Sequence, residues 1–350
     1  MKSREKILVT GGAGYIGAHT VVELDKAGYE VVIVDNFSNS SPDVLDGLEK
    51  ITGKRHPFIE MDCSNKNDTK RLFELHPDIS AVIHFAAFKA VGESVEKPLD
   101  YYRNNIDSLV YLLEELTLGG RDSGIVFSSS CTVYGQPTLE HLPVSENAPL
   151  QSATSPYGRT KQICEDILTD TAKASEGRLK VIALRYFNPI GAHPSALIGE
   201  LPRGVPQNLL PFVTQTAIGL RNELSVFGND YDTPDGSCIR DYIYVCDLAK
   251  AHVKAVERIL HNSERRAGKV EYFNLGTGRG LSVLEVVNKF IEATGVNVPY
   301  KIVSRREGDI EKVWADPSKA NEVLGWIADT PLEDVFKSAW KWERKIRQKP

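Results

Sequence analysis

The sequence predicts an α/β fold, a doubly wound parallel sheet accompanied by a smaller α/β domain. Short apolar runs such as residues 7–10 alternate with helical patterns as far as residue 186, and such runs are typical of strands buried on both faces of a parallel sheet. A glycine-rich turn at residues 11–17 joins the first run to the first helical pattern. Residues 189–240 are rich in Pro, Gly and Asn, which indicates a loop-rich second domain at the carboxyl edge of the sheet.

The individual elements follow from these patterns in chain order. An apolar run bounded by turn residues predicts a strand, and apolar residues three or four apart predict a helix. The predicted strands cover residues 7–10, 29–35, 57–61, 81–85, 125–130, 180–186 and 242–245. The predicted helices cover residues 19–27, 67–75, 99–118, 156–174, 210–220, 247–260, 281–294 and 317–324. We therefore expect a first domain at residues 1–187 and a second at 188–350, with residues near 236–262 packing back onto the first.

The composition restricts the class of protein. A chain of 350 residues exceeds one ordinary core, and contents of 41% apolar and 25% charged residues are those of a soluble globular protein. The net charge of −5 argues against a nucleic-acid partner. No apolar run reaches the ~18–20 residues of a membrane span, and the five cysteines have no metal-binding spacing. We expect a soluble, cytoplasmic protein without a metal site or a membrane partner.

The turn after the first strand has the pattern of a dinucleotide site. Gly11, Gly14 and Gly17 allow a tight turn and a close approach of the backbone to a pyrophosphate, which the following helix N-terminus also attracts. Asp35 ends the second strand, where a carboxylate can accept hydrogen bonds from a ribose diol. Because residues 35–38 contain no Arg or Lys for a 2′-phosphate, NAD is favoured over NADP. A Rossmann-like first domain is predicted; a glycine turn without a ligand is the alternative.

Tyr157 and Lys161 stand four residues apart in a predicted helix, so they share one of its faces. A tyrosine phenol has a pKa near ~10, and a cation within ~4–6 Å lowers such a pKa by roughly 1–3 units because it stabilises the anion. The pair could therefore exchange a proton with an alcohol near neutral pH. A solvated surface pair is the alternative. His84, inside a predicted strand, is expected to be a packed core residue.

The glycine turn, a strand ending in Ser128-Ser129-Ser130 and the Tyr157–Lys161 pair occur in one order. Together they resemble the extended short-chain dehydrogenase/reductase superfamily, and further segments resemble UDP-glucose 4-epimerases. Those segments are FAAFKAVGES at 85–94, SSSCTVYG at 128–135, LRYFNP at 184–189, FGNDY at 227–231, RDYIYV at 240–245 and RREGD at 305–309. They span nearly the whole chain, so the resemblance is specific.

The resemblance implies a role for each matching residue. Tyr157 would be the acid/base, Lys161 its pKa partner, which also bonds the nicotinamide ribose, and Ser130 would hold the reacting hydroxyl. Besides the glycine turn, Tyr157 and Lys161, the implied NAD contacts are Tyr15, Ile16, Asp35, Asn36, Asp62, Cys63, Phe85, Ala86, Lys89, Asn104 and Phe187. Besides Ser130 and Tyr157, the implied nucleotide-sugar contacts are Lys89, Asn188, Asn208, Leu209, Phe227, Arg240, Arg306, Asp309 and Val313.

The resemblance also implies an activity. The family interconverts UDP-glucose and UDP-galactose in galactose metabolism, through a transient 4-keto sugar and a tightly bound NAD. Its dimers pair helices like those at 99–118 and 156–174, so a homodimer is expected; core packing explains the same apolar faces equally well. Some members carry a bulky tyrosine at the position of Val313 and prefer plain hexoses, whereas others carry a small residue and also accept N-acetylated sugars. The intermediate valine predicts activity mainly on UDP-glucose and UDP-galactose.

Two other classes of function are weighed against this one. Nucleotide-sugar 4,6-dehydratases place Asp-Glu directly after the hydroxyl residue, and decarboxylases place a Glu at the second of those positions. This chain has Cys131 and Thr132 there, which cannot act as the extra acid and base of an elimination. A non-catalytic NAD-binding protein of the same fold would commonly lack the tyrosine or the lysine, and this chain has both.

Overall fold

The computed structural model describes residues 5–261, 268–306 and 309–348. In chain order the strands are β1 (Lys6–Thr10), β2 (Glu30–Asp35), β3 (Phe58–Glu60), β4 (Ile79–His84), β5 (Ser123–Ser130), β6 (Leu179–Tyr186), β7 (Asn188–Ile190), β8 (Leu224–Phe227), β9 (Ile239–Tyr244), β10 (Val270–Leu275), β11 (Gly280–Ser282), β12 (Tyr300–Val303) and β13 (Lys312–Val313). The α-helices are α1 (Tyr15–Lys26), α2 (Asp43–Thr52), α3 (Lys66–Leu75), α4 (Val91–Glu96), α5 (Pro98–Tyr102), α6 (Ser108–Thr117), α7 (Pro156–Ala174), α8 (Leu209–Ala217), α9 (Val245–His261), α10 (Val283–Thr294), α11 (Ser318–Leu324) and α12 (Leu332–Arg347).

The largest sheet has seven strands in the order β10-β6-β5-β4-β1-β2-β3, and every neighbouring pair is parallel. The strand order reverses between β1 and β4: β2 and β3 follow on one side of β1, whereas β4, β5 and β6 follow on the other side. In open α/β sheets a crevice forms at such a reversal, beyond the carboxyl ends of the strands, and ligands bind there. The predicted doubly wound, Rossmann-like sheet is therefore confirmed.

Helices cover both faces of this sheet, which explains the continuous apolar runs in its strands. Ile7 and Val9 of β1 pack in one buried cluster with α1, α2, α9 and α11, whereas Leu8 packs in a second cluster with α3, α6 and α7. His84 is buried near the end of β4 and forms a hydrogen bond between its Nδ1 and the Thr10 hydroxyl, 2.7 Å away. It is a core residue, as predicted.

The second, smaller sheet has the order β11-β9-β13, with β7 also paired to β9, and β8 pairs with β12 alongside it. The chain passes between the two sheets several times over short distances. One residue separates β6 from β7, α9 follows β9 directly, four residues (276–279) join β10 to β11, and residues 314–317 join β13 to α11. The carboxyl edge of the large sheet therefore faces β7 and β9 of the second sheet, and the crevice lies between the two sheets.

Some elements differ from the sequence prediction. The predicted helix at 99–118 is α5 and α6 with a π-helical turn at Arg103–Asp107 between them. β10, at the edge of the large sheet, was not predicted, because its first half (Val270-Glu271-Tyr272) is only partly buried and lacks an apolar run. The exact division into two domains stays a prediction. Within the described ranges, none of the helices has the length and apolar content that crossing a membrane requires.

Candidate active site

The glycine turn lies at the carboxyl end of β1, where the strand order reverses. Gly11 has a φ of +69°, and a Cβ atom there would lie 2.7 Å from the backbone N of Ala86, just after β4. A Cβ atom at Gly17 would overlap the carbonyl oxygen of Gly11. The first turn of α1 has neither a capping side chain nor an acidic residue, so its N–H groups and its dipole are available to an anion. These residues fit the pyrophosphate of a dinucleotide.

Asp35 ends β2 beside this turn and is held in one orientation. Its carboxylate accepts hydrogen bonds from the backbone N–H groups of Ala13 (3.1 Å) and Phe37 (2.9 Å) and from the Ser40 hydroxyl (2.8 Å). Arg203, in the segment before α8, donates to the carbonyl of Ser40. The second domain thus contacts the loop that would surround an adenine ribose.

Three more predicted NAD contacts lie at the same edge, after β2 and β3. Asn36 accepts a hydrogen bond from the N–H of Ser38 (3.0 Å), and Asp62 accepts bonds from the N–H (2.8 Å) and the hydroxyl (2.7 Å) of Ser64. Burial raises the pKa of the Cys63 thiol to about 12, so this group is neutral at physiological pH. These side chains shape local turns, and their contact with NAD stays a prediction.

Tyr15, Lys89 and Asn208 meet around Glu200, a residue that the sequence did not single out. Lys89 Nζ lies 3.7 Å from Glu200 Oε1 and 5.9 Å from the centroid of the Tyr15 ring. Asn208 Nδ2 donates to the same carboxylate oxygen at 2.5 Å, and the Tyr15 hydroxyl donates to the carbonyl of Gly191 at 2.7 Å. Burial raises the pKa of Glu200. A single glutamate in a loop carries no sequence pattern that would have revealed this junction.

The π-helical turn places two asparagines beside the start of α7. Asn104, a predicted NAD contact, donates through Nδ2 to the Asn105 Oδ1 at 2.9 Å. Asn105 is buried; it accepts from the N–H of Phe88 (2.8 Å) and donates to the Phe88 carbonyl (3.0 Å) and the Thr160 hydroxyl (3.1 Å). A π turn moves side chains out of helical register and often marks a functional site. Here it joins the loop after β4 to α7.

The start of α7 carries the Tyr157–Lys161 pair. The Ser155 hydroxyl accepts a hydrogen bond from the N–H of Gly158 (3.1 Å) and caps the helix. Pro156 occupies the first helical position, where no N–H group is needed. These signals fix the beginning of the helix, and the predicted bounds of 156–174 are those observed.

Ser130, Tyr157 and Lys161 meet where β5 and α7 approach each other. The Lys161 side chain is buried, and its Nζ donates to the Ser128 carbonyl oxygen at 2.7 Å. This Nζ also lies 4.7 Å from the centroid of the Phe127 ring. The same Nζ lies 6.0 Å from the centroid of the Tyr157 ring. Ser130 forms a hydrogen bond with Tyr157 that lowers its pKa. The three residues predicted to be catalytic are therefore brought together.

The pKa values of this pair correct one expectation. Burial raises the pKa of Tyr157 to about 12, despite the hydrogen bond from Ser130, and burial lowers the pKa of Lys161 to about 8. The expected lowering of the tyrosine pKa by the lysine is not found, because the ammonium bonds a carbonyl on β5 instead of the phenol. In the chain by itself, both groups are protonated at neutral pH.

Two residues beside Ser130 complete this wall of the crevice. Burial raises the pKa of the Cys131 thiol to about 11, so it is not a useful acid or base near pH 7. The Thr132 hydroxyl oxygen is buried and has no hydrogen-bond partner among the described residues. A buried polar atom without a partner is costly. Thr132 is thus a candidate ligand contact that the sequence analysis missed.

A cationic cluster lies across the crevice, on β9 and in the loop before β13. Arg240 Nη2 is 4.0 Å from Asp309 Oδ1, and Arg306 donates to the same oxygen through Nε (3.2 Å) and Nη2 (2.6 Å). The Arg306 guanidinium lies 5.4 Å from the centroid of the Phe227 ring. All four are predicted nucleotide-sugar contacts. Two guanidinium groups around one carboxylate leave donors that suit a diphosphate. Glu307 and Gly308, in the same motif, lie outside the described residues.

The remaining predicted contacts line or support the crevice. Phe187 and Val313 are buried in one apolar cluster, and Asn188 begins β7 opposite Tyr242 of β9. Leu209 is the first residue of α8. Phe85, after β4, packs its ring 4.7 Å from the ring of the buried His252. Ile16, in α1, packs against the buried clusters of both domains.

The chain is similar to known proteins along nearly its whole length. Residues 8–339 match the family model described as GDP-mannose 4,6 dehydratase. The UDP-glucose 4-epimerase of Dictyostelium discoideum is 53% identical over 97% of this chain and 96% of its own length. The chain belongs to the UDP-glucose 4-epimerase family.

Solved structures of this epimerase family agree with the fold. The UDP-glucose 4-epimerase of Stenotrophomonas maltophila, with bound NAD and formylated UDP-arabinopyranose, superposes with a TM-score of 0.92 at 46% identity, covering 99% of both chains. The Bifidobacterium longum enzyme in complex with NAD+ and UDP gives a TM-score of 0.90 at 46% identity, covering 97% of this chain and 98% of its own. The epimerase family therefore accounts for the whole chain, including the second domain.

Proposed function

We propose that this protein interconverts UDP-glucose and UDP-galactose by inverting C4 through a transient 4-keto sugar, with a tightly bound NAD. The observation that carries the proposal is the meeting of Ser130, Tyr157 and Lys161 beside the Gly11 turn. The cationic cluster of Arg240 and Arg306 lies across the crevice from them. Epimerase relatives along the full length, and their complexes with NAD, support it.

The chain's own groups divide the work of inversion. A carbinol C–H bond is not acidic, so a side chain cannot simply remove that proton; NAD, when bound, supplies the acceptor and donor of the hydride. As a phenolate, which the Lys161 ammonium and the positive charge of a bound nicotinamide would favour against the effect of burial, Tyr157 would accept the C4 hydroxyl proton during oxidation and return it during reduction. Ser130 would hold that hydroxyl. The Lys161 ammonium is held by the Ser128 carbonyl. Arg240 and Arg306 anchor the diphosphate, so that the keto sugar can turn and present its other face.

A single assay tests this function. Protein purified without nucleotide in the buffers should convert UDP-galactose to UDP-glucose with no added NAD. Denaturing the same sample should release roughly one NAD per chain. Protein that carries NAD yet leaves UDP-galactose unchanged would contradict the proposed reaction.

Val313 gives a prediction about substrate choice. It is only 5% exposed and packs in the apolar cluster that includes Phe187, so the wall it belongs to is closed and apolar. An N-acetyl group needs more room and hydrogen-bond partners of its own. We expect kcat/KM for UDP-N-acetylglucosamine to be at least about tenfold below that for UDP-glucose, since ~1.4 kcal/mol is a factor of ten. Equal kcat/KM values for the two sugars would refute the assignment.

A homodimer is proposed on the surface of α4 and α5. Val91 and Val95 lie one turn apart on α4, and Leu99 follows in α5. They are 47%, 63% and 65% exposed and form an apolar stripe of the kind that marks interfaces. In α6, by contrast, the apolar residues Leu109, Leu113 and Leu116 belong to the core and are not available to a partner. A second copy of the chain, docked beside α6 and α7, would cover the stripe.

The dimer is tested by charge insertion. The double variant Val95→Glu/Leu99→Glu should elute as a monomer in size-exclusion chromatography with light scattering, because each buried carboxylate costs several kcal/mol. Leu75→Glu is the matched control, since Leu75 is 54% exposed at the end of α3, and this variant should remain a dimer. An unchanged dimer in the double variant would locate the interface elsewhere.

A cytoplasmic location is part of the proposal. All five cysteines are free thiols, which suits a reducing compartment. Cell fractionation should recover the enzyme with cytosolic markers, and its recovery with secreted proteins would contradict this location.

A further inference from the structure

A buried ion pair lies directly behind the proposed catalytic residues. Glu165 follows Lys161 by one turn of α7 and Tyr157 by two, so the three share one helix face. Its side chain is 3% exposed and that of its partner Arg185, on β6, is 4% exposed. The Glu165 carboxylate accepts hydrogen bonds from Arg185 Nε (2.9 Å) and Nη2 (2.6 Å) and from the Ser129 hydroxyl (2.6 Å).

Arg185 extends this network to β10, at the edge of the large sheet. Its Nη1 donates to the Tyr134 hydroxyl at 3.0 Å, which in turn donates to Asn274 Oδ1 at 2.6 Å. The guanidinium carbon lies 4.3 Å from the centroid of the Tyr272 ring. Every charged atom of the pair is therefore compensated. A buried ion pair is weak evidence for stability, because desolvation offsets the attraction, so another reason for its presence is needed.

The three serines at the end of β5 connect the pair to the site. The Ser128 carbonyl holds Lys161, Ser129 donates to Glu165, and Ser130 bonds Tyr157. Consecutive residues of one strand thus contact successive positions on one face of α7. A shift of the helix along β5 would disturb all three contacts together.

We infer that Glu165 is a positioning residue, which with Ser129 and Arg185 holds α7 in register on the sheet and thereby keeps Tyr157 and Lys161 in place against β5. This inference rests on the proposed function. It adds to that function a residue that does not touch the substrate.

The charges around Lys161 predict the direction in which its pKa should change when Glu165 is replaced. On α7 it faces Tyr157, Cys164 and Glu165, and from β4 it faces His84. Burial lowers the pKa of Lys161 to about 8, and the negative charge of the Glu165 carboxylate opposes that lowering. The Cys164 thiol is neutral in this pH range, because burial raises its pKa to about 12. Removing the Glu165 charge removes the opposition, so the Lys161 pKa should fall further. The alkaline loss of activity should then begin at a lower pH than in the wild type.

The test compares Glu165→Gln with Asp166→Asn. Both remove one negative charge at adjacent positions, but Asp166 is exposed. For Glu165→Gln we expect kcat on UDP-galactose to fall on the order of 10–100-fold, the cost of a small misplacement, with KM within about twofold and bound NAD retained. The alkaline limb of its kcat–pH profile should move down by about one pH unit. Asp166→Asn should match the wild type in all four measurements.

A purely structural role predicts a different result. If Glu165→Gln only lowers the melting temperature and keeps the wild-type kcat and pH profile, the inference is wrong. If that variant does not fold, Ser129→Ala decides, because it removes one hydrogen bond and keeps the ion pair; an unchanged kcat there overturns the inference. Inactivity of the wild-type holoenzyme toward UDP-galactose would instead reject the proposed function, so the two failures are distinguishable.

Discussion

Replacing Tyr157 with Phe should lower kcat for UDP-galactose by roughly 10³-fold, within the 10²–10⁴ range of general acid–base catalysis. Only the hydroxyl oxygen is removed, so the ring can keep its packing at the start of α7. Without that hydroxyl the group assigned to take the C4 proton is gone, and the neighbouring Cys131 thiol is a poor substitute because burial raises its pKa to about 11. KM and the dissociation constant of UDP should change by less than about threefold, because the diphosphate anchors are on β9 and in the loop before β13.

Steady-state kinetics and calorimetric titration with UDP provide the measurements. Tyr300→Phe is the matched control: it also removes one phenolic hydroxyl, but from an exposed residue of β12, and it should retain wild-type kcat. If Tyr157→Phe keeps a tenth or more of the wild-type kcat, the acid/base assignment fails. If it instead loses UDP binding, the substitution has disturbed the crevice and Tyr157 has a binding role.

Replacing Gly11 with Ala should yield protein that carries little NAD and has correspondingly little activity. The new Cβ would lie 2.7 Å from the backbone N of Ala86, a contact that forces the turn and the end of β4 apart. A loss of ~1.4 kcal/mol in binding lowers affinity tenfold, and we expect at least this much. The readout is the nucleotide released by denaturation, measured per chain by absorbance and chromatography.

Gly28→Ala separates crowding from backbone strain. Gly28 has a φ of +90°, also in the left-handed region, yet a Cβ there would meet nothing within 4 Å. Both variants therefore suffer the strain of placing a Cβ at positive φ, but only Gly11→Ala crowds the crevice. Gly28→Ala should purify with the wild-type amount of NAD. If both variants lose NAD equally, strain in the βαβ unit is the cause and the close approach at Ala86 is not.

Local patterns predicted the fold and the position of the site well. Buried strands such as β1 and β5 have uninterrupted apolar runs, and Ser155-Pro156 fixes the start of α7, so periodicity and capping were sufficient. The meeting of Ser130 with Tyr157 then follows because α7 connects β5 to β6, two neighbouring strands of one sheet. The roles of the individual NAD and nucleotide-sugar contacts rest on the family resemblance and stay predictions.

Other features depend on tertiary contacts that no local pattern encodes. Glu200 contacts Lys89 and Asn208 from distant segments. The hydroxyl of Thr132 is notable only because none of the residues that the structure describes forms a hydrogen bond with it. The spacing of Tyr157 and Lys161 predicts a shared face, yet the direction of the ammonium depends on the Ser128 carbonyl. For that reason the pKa values of the pair could not be derived from the spacing of the two residues.

The short connections between the two sheets have a mechanical consequence. A clamshell motion needs a hinge of a few residues that absorbs large changes in backbone angles. Here β6–β7 and β10–β11 each join one sheet to the other, and β9–α9 joins the second sheet to a helix that packs on the first. Each connection has four residues or fewer between the elements, and bending all of them about one axis is a stiff deformation. We expect the walls of the crevice to stay still while the sugar rotates. A change of several ångströms on UDP binding, between spin labels on α3 and α10, would show otherwise.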